Sequence, residues 1–553
     1  FKVIALTRDC IYRIHSLCSY PATFKLSKQK LLHDEMFPKK QKLTSEFHSI
    51  SESDSGSSTD FEESPLKEGI HSKIACKGLA SDVSGPLKYS QSPRCDLNDE
   101  NDITVVDKIK YCDSSNIYLT KILARPESAK EILTLGLLEI FSPLLGEIEE
   151  MVQFSYMVDV NYLMAAVKKT VNRKIPILIL HGCKEEEKKI AKDASRYADV
   201  RVHLVKMPFP FGTHHSKMML IKYKEGLRIV ILTANLVQGD WLNRTQGVWM
   251  SPLLPQSCDE RDSSTKFRAN LLSYLSSYHL SILSPWIQMI RNHDFSTVKA
   301  HFIMSAPGRY LGEDKGKWGH LQLKKILHQY KFAEDSANWS LVVQCSSIGT
   351  LGSTASSWLT GEFRESLIAS SNSLESNFGS SKPTIKLIFP SVADVRKSYD
   401  GYISGGSLPY SKFTDAKQPW LRTHMHHWSS SHRGRTLASP HIKTYTRLSQ
   451  CGKKVSWFLM TSANLSKAAW GQLEKGGQQL FIRSYEVGIL LVPHEFTENM
   501  KHFNLIKGSN PGGLGELNLP YDSPLTPYNT CDNPWLWDRS YHELDSLGEK
   551  YRC

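Results

Sequence analysis

Short apolar runs of strand length recur from about residue 115 onward, and stretches with helical spacing fall between them. Segments 175–181, 217–223 and 227–233 are apolar runs bounded by turn formers, which predicts strands; 386–390, 455–461 and 487–492 read the same way. Segments 129–140 and 267–280 place apolar residues three and four apart, which predicts helices. Strands alternating with helices imply an α/β fold of layered sheets, parallel or mixed. The Ser- and Gly-rich stretches 346–357, 370–381 and 404–407 read as loops.

The first hundred residues lack this pattern. Residues 49–65 hold five acids, no base and many serines, too little apolar surface to offset the entropy of ordering. We read 1–112 as a mostly disordered tail, 113–300 as a first folded domain and 301–553 as a second, since 553 residues exceed one ordinary core. The chain opens on Phe1, not Met, which reads as a fragment or a processed start. Residues 10–33 carry bases and no acid, a weak likeness to a mitochondrial presequence, and Pro38 to Lys42 is a weak likeness to a nuclear import signal.

Lys and Arg outnumber Asp and Glu by 68 to 56, a surplus that favours polyanionic partners without specifying one. The eleven cysteines form no Cys-x-x-Cys pair, so neither a disulfide framework nor a zinc ribbon is expected. No apolar run reaches the roughly 18 residues that span a bilayer. His424, His426, His427 and His432 crowd one polar stretch. Without neighbouring Cys or carboxylates in sequence it reads as a solvated or DNA-facing loop, not a metal site.

The chemistry is carried by an internal duplication. One copy runs His215-Ser216-Lys217 to Asn235 and Trp241; the other runs His441-Ile442-Lys443 to Asn464 and Trp470. His to Asn is 20 residues in one and 23 in the other, and Asn to Trp is six in both. A lone His-x-Lys is expected by chance in a chain with 21 histidines, but a duplicate with matched Asn and Trp is not. Residues two apart on a strand face one side, so each His and Lys share a pocket. Two such halves meeting about a pseudo-twofold would bring two His, two Lys and two Asn onto one phosphodiester. The ammonium and amide groups would stabilise the charge that builds at phosphorus. One histidine would attack and the other protonate the leaving oxygen, with no metal or other cofactor called for. His214 precedes His215 directly, but neighbouring strand residues face opposite ways, and alignment with His441 selects His215. Phe211, just upstream, is placed to stack on a base.

These paired motifs resemble those of the phospholipase D superfamily. Most of that superfamily has an Asp five residues after each Lys; here Lys222 and Leu448 stand there. That departure is shared by one branch, the tyrosyl-DNA phosphodiesterases. The segments from Phe211 to Met219, Pro440 to Tyr445 and Thr461 to Trp470 are similar to that branch too, within a resemblance spanning about residues 115–540. It implies two similar α-β-α sandwich domains and an enzyme that removes tyrosine, left by a trapped topoisomerase I, from a DNA 3′ phosphate. It also implies that His215 is the nucleophile, forming a phosphohistidine, and that His441 is the general acid and then base. Lys217, Lys443, Asn235 and Asn464 would clamp the phosphate, and Gln246 and Glu486 would orient the two imidazoles. Ser346, Ser347, Lys417, Ser466 and Lys467 fall in segments similar to the family's DNA-backbone contacts. The expected partner is a single-stranded or duplex DNA 3′ end carrying tyrosyl peptide, bound by a monomer off the membrane, with repair proteins on the tail. The expected setting is the nucleus, with mitochondrion or cytoplasm as alternatives. Two other readings stay open: another phosphodiesterase or nuclease of the superfamily, and a non-catalytic DNA-binding relative.

Overall fold

The computed structural model describes residues 103–112, 115–259, 261–371, 382–508 and 510–553. The tail and targeting expectations for residues 1–102 lie outside them. An eight-stranded sheet comprises β1 (Ile117–Thr120), β2 (Thr134–Leu135), β3 (Ile148–Ser155), β4 (Ile177–His181), β5 (Val200–Leu204), β6 (Met218–Tyr223), β7 (Gly226–Leu232) and β8 (Gly247–Met250). Its order is β2-β1-β8-β7-β6-β3-β4-β5. There follow β9 (His301–Ser305), β10 (Gly308–Leu311), β11 (Ser340–Gln344), β12 (Ile385–Ile388), β13 (Met425–His426), β14 (Thr444–Leu448), β15 (Lys454–Thr461), β16 (Gln472–Glu474), β17 (Gln479–Ile482) and β18 (Glu486–Leu491). A second sheet runs β13-β12-β11-β14-β15-β18-β9, extended off β15 by Phe503–Leu505 and Glu516–Leu517, while β10, β17 and β16 form a small separate sheet. All six strands expected from the apolar runs are present, shifted at their ends by two residues at most.

The two large sheets repeat one topology. In the first, β3, β4 and β5 are parallel, and β6, β7, β8 and β1 follow antiparallel in turn. In the second, β11, β12 and β13 are parallel, and β14, β15, β18 and β9 follow antiparallel. Each His-x-Lys motif therefore leads into the equivalent strand, β6 or β14.

The strands are apolar on both faces because both are covered. Met218 and Leu220 of β6 join a central cluster with Phe458 and Met460 of β15, whereas Met219 and Ile221 face one outer cluster and Trp457 and Leu459 another. The period of two thus sorts side chains into a shared core between the sheets and one core outside each. Gly247 lies against the other half: a β-carbon there would stand 2.3 Å from Met460 Sδ and 2.8 Å from Ile442 Cδ1, so only glycine fits without displacing those side chains.

Three sequence expectations need correction. The helix expected over 129–140 is instead a 3-10 turn (Pro126–Lys130), the strand β2 and a short helix (Leu137–Ile140). Thr134 and Leu135 pair in parallel with β1, so tertiary pairing overrides the local apolar spacing. A helix, Val105–Tyr111, lies inside the segment assigned to the tail. Thr104 and Asp107 close its capping box, and buried Lys108 bonds Ala129 O, Thr134 O and Glu139. The Thr-x-x-Asp signal was legible in sequence.

The third correction concerns the histidine-rich stretch, which is partly buried and bonded within the protein, not a freely solvated loop. His427 bridges Asp394 at 3.1 Å and Asp532 at 2.9 Å, and His432 pairs with Asp522 at 2.6 Å. Carboxylates from elsewhere in the chain strap the C-terminal segment to the second half. Only a doubly protonated His427 satisfies both partners. The bond to Asp394, followed by its charge and the pairing with Asp532, lifts its pKa to about 9 against the cost of partial burial. A raised pKa adds stability that is complete below the unfolded value, about 6.5, and gone once pH passes the folded one. We expect His427→Ala to cost on the order of 1 kcal/mol near pH 6, with the melting-temperature gap to wild type narrowing as pH climbs through about 9. A gap independent of pH would show that packing, not charge, holds the strap.

Candidate active site

Both motif histidines sit just before their strands, and each is anchored by the opposite half. His215 N donates to Tyr485 O at 3.0 Å and Tyr485 N to Thr213 O at 3.0 Å. In mirror fashion His441 N donates to Thr245 O at 3.0 Å and Thr245 N to Ser439 O at 3.0 Å. The residue after each anchor then reaches the imidazole. Glu486 Oε2 lies 2.9 Å from His215 Nδ1, and Gln246 Nε2 lies 2.8 Å from His441 Nδ1. Glu486 is fixed by Ser462 Oγ at 2.5 Å, and Gln246 Oε1 accepts from Thr233 Oγ1 at 2.8 Å. With each Nδ1 occupied, each Nε2 is the nitrogen left for chemistry.

The lysines repeat the symmetry. Lys217 Nζ donates to His215 O at 2.8 Å, and Lys443 Nζ to His441 O at 2.5 Å. Burial, with little relief from Glu486 and Asp240, brings Lys217 down to about 8. Burial and then the charge of Lys217 hold Lys443 well below the ordinary lysine value. Burial keeps His215 below its usual value although Glu486 pulls it up, and burial with Lys443 brings His441 to about 3. Lys217 acts on His441 and Lys443 acts on His215, so the two motifs share one electrostatic field.

The asparagines take matching places after β7 and β15. Asn235 Oδ1 accepts from Met157 N at 3.4 Å, and Asn464 Oδ1 accepts from Ser346 N at 3.1 Å and Ser347 N at 3.0 Å. The constant six-residue step to Trp has a cause in the first copy, where Trp241 Nε1 donates to Asn235 O at 2.8 Å. In the second copy Trp470 Nε1 bonds Tyr445 OH at 2.9 Å instead.

A family model described as tyrosyl-DNA phosphodiesterase matches residues 116–529, which hold both motifs. The chain belongs to the tyrosyl-DNA phosphodiesterase family. It is 41% identical over 443 residues to tyrosyl-DNA phosphodiesterase 1 of Drosophila melanogaster, covering 78% of this chain and 75% of that protein. It is 35% identical over 415 residues to a probable tyrosyl-DNA phosphodiesterase of Caenorhabditis elegans, covering 71% and 83%. The fold matches the crystal structure of the yeast tyrosyl-DNA phosphodiesterase at TM-score 0.59 and 21% identity, over 76% of this chain and 99% of that one.

This tyrosyl-DNA phosphodiesterase site contains one residue that the motif reading missed. Asp240, buried between Asn235 and Trp241, accepts from Asn235 N at 2.6 Å and Asn235 Nδ2 at 3.0 Å, and its Oδ2 lies 3.4 Å from His441 Nδ1. Burial alone would raise its pKa, but His441 and the Asn235 N–H override that and hold it below the carboxylate range. The matched copies contained the signal: at the same step from Asn464 stands Ala469. We expect Asp240→Ala to lower kcat about tenfold to a hundredfold, a fraction of what general acid–base catalysis contributes, and to move the acid limb of the pH–rate profile. An unmoved profile with reduced melting temperature would mark a purely structural role.

The expected DNA contacts divide. Phe211 is 48% exposed and holds a left-handed φ of 60°, a costly conformation for a bulky residue. Lys417 is exposed and Lys467 half-buried. Ser347 sends its hydroxyl to Pro409 O at 2.7 Å. Ser346 is buried with its hydroxyl on Asn464 Oδ1 at 3.2 Å, and Ser466 Oγ caps a helix by accepting from Ala469 N at 3.2 Å. Both hydroxyls thus serve the protein's own frame.

Proposed function

We propose that the chain hydrolyses the bond between a DNA 3′ phosphate and a tyrosine through a phosphohistidine on His215. The observation that carries this reading is the crosswise hold: Glu486 of the second half orients His215, and Gln246 of the first half orients His441. Neither imidazole is set without the other half, which suits two histidines flanking one phosphorus. A hydrogen on Nδ1 toward Glu486 leaves the His215 Nε2 lone pair for attack. The P–N bond forms as the P–O bond to the phenol breaks, and His441 Nε2 delivers a proton to the departing oxygen. The bound phosphate's negative charge favours that protonated form of His441. In the second step His441 takes a proton from water, the oxygen attacks phosphorus and the P–N bond breaks. The products are a free tyrosyl peptide and a 3′ phosphate. Lys217, Lys443 and the Asn464 amide bind the non-bridging oxygens, where charge builds.

A gel assay on a 3′-phosphotyrosyl oligonucleotide in excess chelator is the test. Conversion to a 3′-phosphate product is expected, since the lysines supply the positive charge. Turnover of phosphatidylcholine or of internal phosphodiester bonds, with none on this substrate, would favour another phosphodiesterase of the superfamily. Tight DNA binding without cleavage would favour a non-catalytic relative. A nuclear setting accompanies the proposal, and imaging a tagged chain with Lys39, Lys40 and Lys42 changed to Ala would check it by loss of nuclear signal.

A further inference from the structure

We infer that Phe413 is a second base-stacking platform for this chain, beyond Phe211, placed to hold a single DNA strand several nucleotides away from the scissile 3′ phosphate. The inference rests on the DNA-end reading above. Lone exposed apolar residues are ordinary on protein surfaces, so exposure alone says nothing. Among the described residues, however, the exposed phenylalanines are Phe211 at 48% and Phe413 at 46%, and both are tied to the site.

Phe413 lies on the short helix Lys412–Ala416, which is bound at both ends to the loop that holds Asn464. On its N-terminal side Ser347 Oγ donates to Pro409 O at 2.7 Å, while Ser347 N donates to Asn464 Oδ1 at 3.0 Å. On its C-terminal side Gln418 Oε1 accepts from Leu351 N at 2.9 Å and Gln418 Nε2 donates to Gly349 O at 3.1 Å. The same loop bonds Leu465 O through Gly349 N at 2.9 Å. Lys412 N is pinned by Asp538 Oδ1 at 2.7 Å. The helix is therefore a fixed extension of the Asn464 loop.

Its exposed face carries Lys412, Phe413 and Lys417. Lys417 Nζ stands over the Phe413 ring, 4.3 Å from its centroid, and the residue as a whole remains 46% exposed. An exposed aromatic ring with one lysine against it and a second lysine adjacent in the chain is a combination that grips single-stranded nucleic acid without sequence choice: the ring takes a base and the lysines take phosphates. An acidic peptide would use the lysines but has no need of the ring, so the observations favour a nucleic-acid strand.

The test compares KM for 3′-phosphotyrosyl substrates on a dinucleotide and on a decanucleotide. Phe413→Ala is expected to raise KM for the long substrate about tenfold more than for the short one, the size of one lost base stack. Phe413→Trp should restore the wild-type ratio, and an abasic nucleotide at the stacked position should erase the difference between wild type and Phe413→Ala. An unchanged ratio, a Phe413→Leu variant equal to wild type, or a loss that vanishes at high salt would overturn the inference, the last by assigning the effect to Lys417 alone. If wild type turned over neither substrate, the DNA-end reading itself would fail. A working wild type with an unchanged ratio in the variant removes only the platform.

Discussion

Replacing His441 with Asn is expected to leave the protein covalently joined to DNA, whereas His215→Ala should give neither product nor adduct. The difference follows from what each nitrogen does. In the proposed mechanism His215, held with Nδ1 on Glu486 at 2.9 Å, forms the P–N bond through Nε2, and removing it should stop the first step. Loss of at least about a thousandfold in kcat is expected, since no other nucleophile replaces it. His441 acts on protons in both steps. In the first, a phenol is a good leaving group and departs at a reduced rate without help. In the second, water is a poor nucleophile and needs a base. The second step therefore slows more, and the intermediate accumulates. Denaturing gels of a 5′-labelled 3′-phosphotyrosyl oligonucleotide would show a protein-sized band for His441→Asn, absent for the double variant with His215→Ala. Two equally inactive single variants with no band would reject this division of roles.

The strands and motifs were legible in the sequence because their signals are local. A buried strand must be apolar on both faces, and a motif repeated with matched spacing carries its own control. What the sequence withheld depends on partners distant in the chain. The helix misread over 129–140 looked right by spacing, but β1 claims Thr134 and Leu135. The clustered histidines lacked acids nearby in sequence, and their acids arrive from Asp394, Asp522 and Asp532. Asp240 was missed because attention to matched residues passes over the unmatched one. Its acid breaks the repeat where Ala469 keeps the second copy neutral. That asymmetry fits the proposed mechanism: His441 alone must gain and release protons, and it alone has a carboxylate, Asp240, beside the same nitrogen as an orienting amide. Ser346 was assigned to DNA by position, yet its hydroxyl and N–H are both used on Asn464. Its influence on phosphate runs through that amide.

The second large effect concerns the buried lysines, where activity and stability are expected to move in opposite directions. Lys217→Met and Lys443→Met should each lower kcat/KM by about a hundredfold to a thousandfold, the loss seen when one preorganised donor is removed from a developing negative charge. Each should also make the free protein more stable. Burial has lowered Lys217 to about 8, so keeping it protonated at neutral pH costs the folded state about 3 kcal/mol relative to an ordinary lysine. An apolar side chain of similar length escapes that penalty. The sign is checked by pH: a depressed lysine penalises the fold where the unfolded chain is protonated and the site resists it. The stability gap between variant and wild type should therefore shrink as pH rises through about 8 toward 10. The same titration shapes catalysis. In the free enzyme, kcat/KM should fall as pH passes about 8 and the Lys217 ammonium is lost. The alkaline limb of kcat should lie higher, because a bound phosphate favours the charged lysine. Calorimetric melting across that pH range, paired with the two rate profiles, checks both halves. A Lys217→Met protein less stable than wild type at neutral pH would mean that the bond from Nζ to the His215 carbonyl outweighs the burial of its charge.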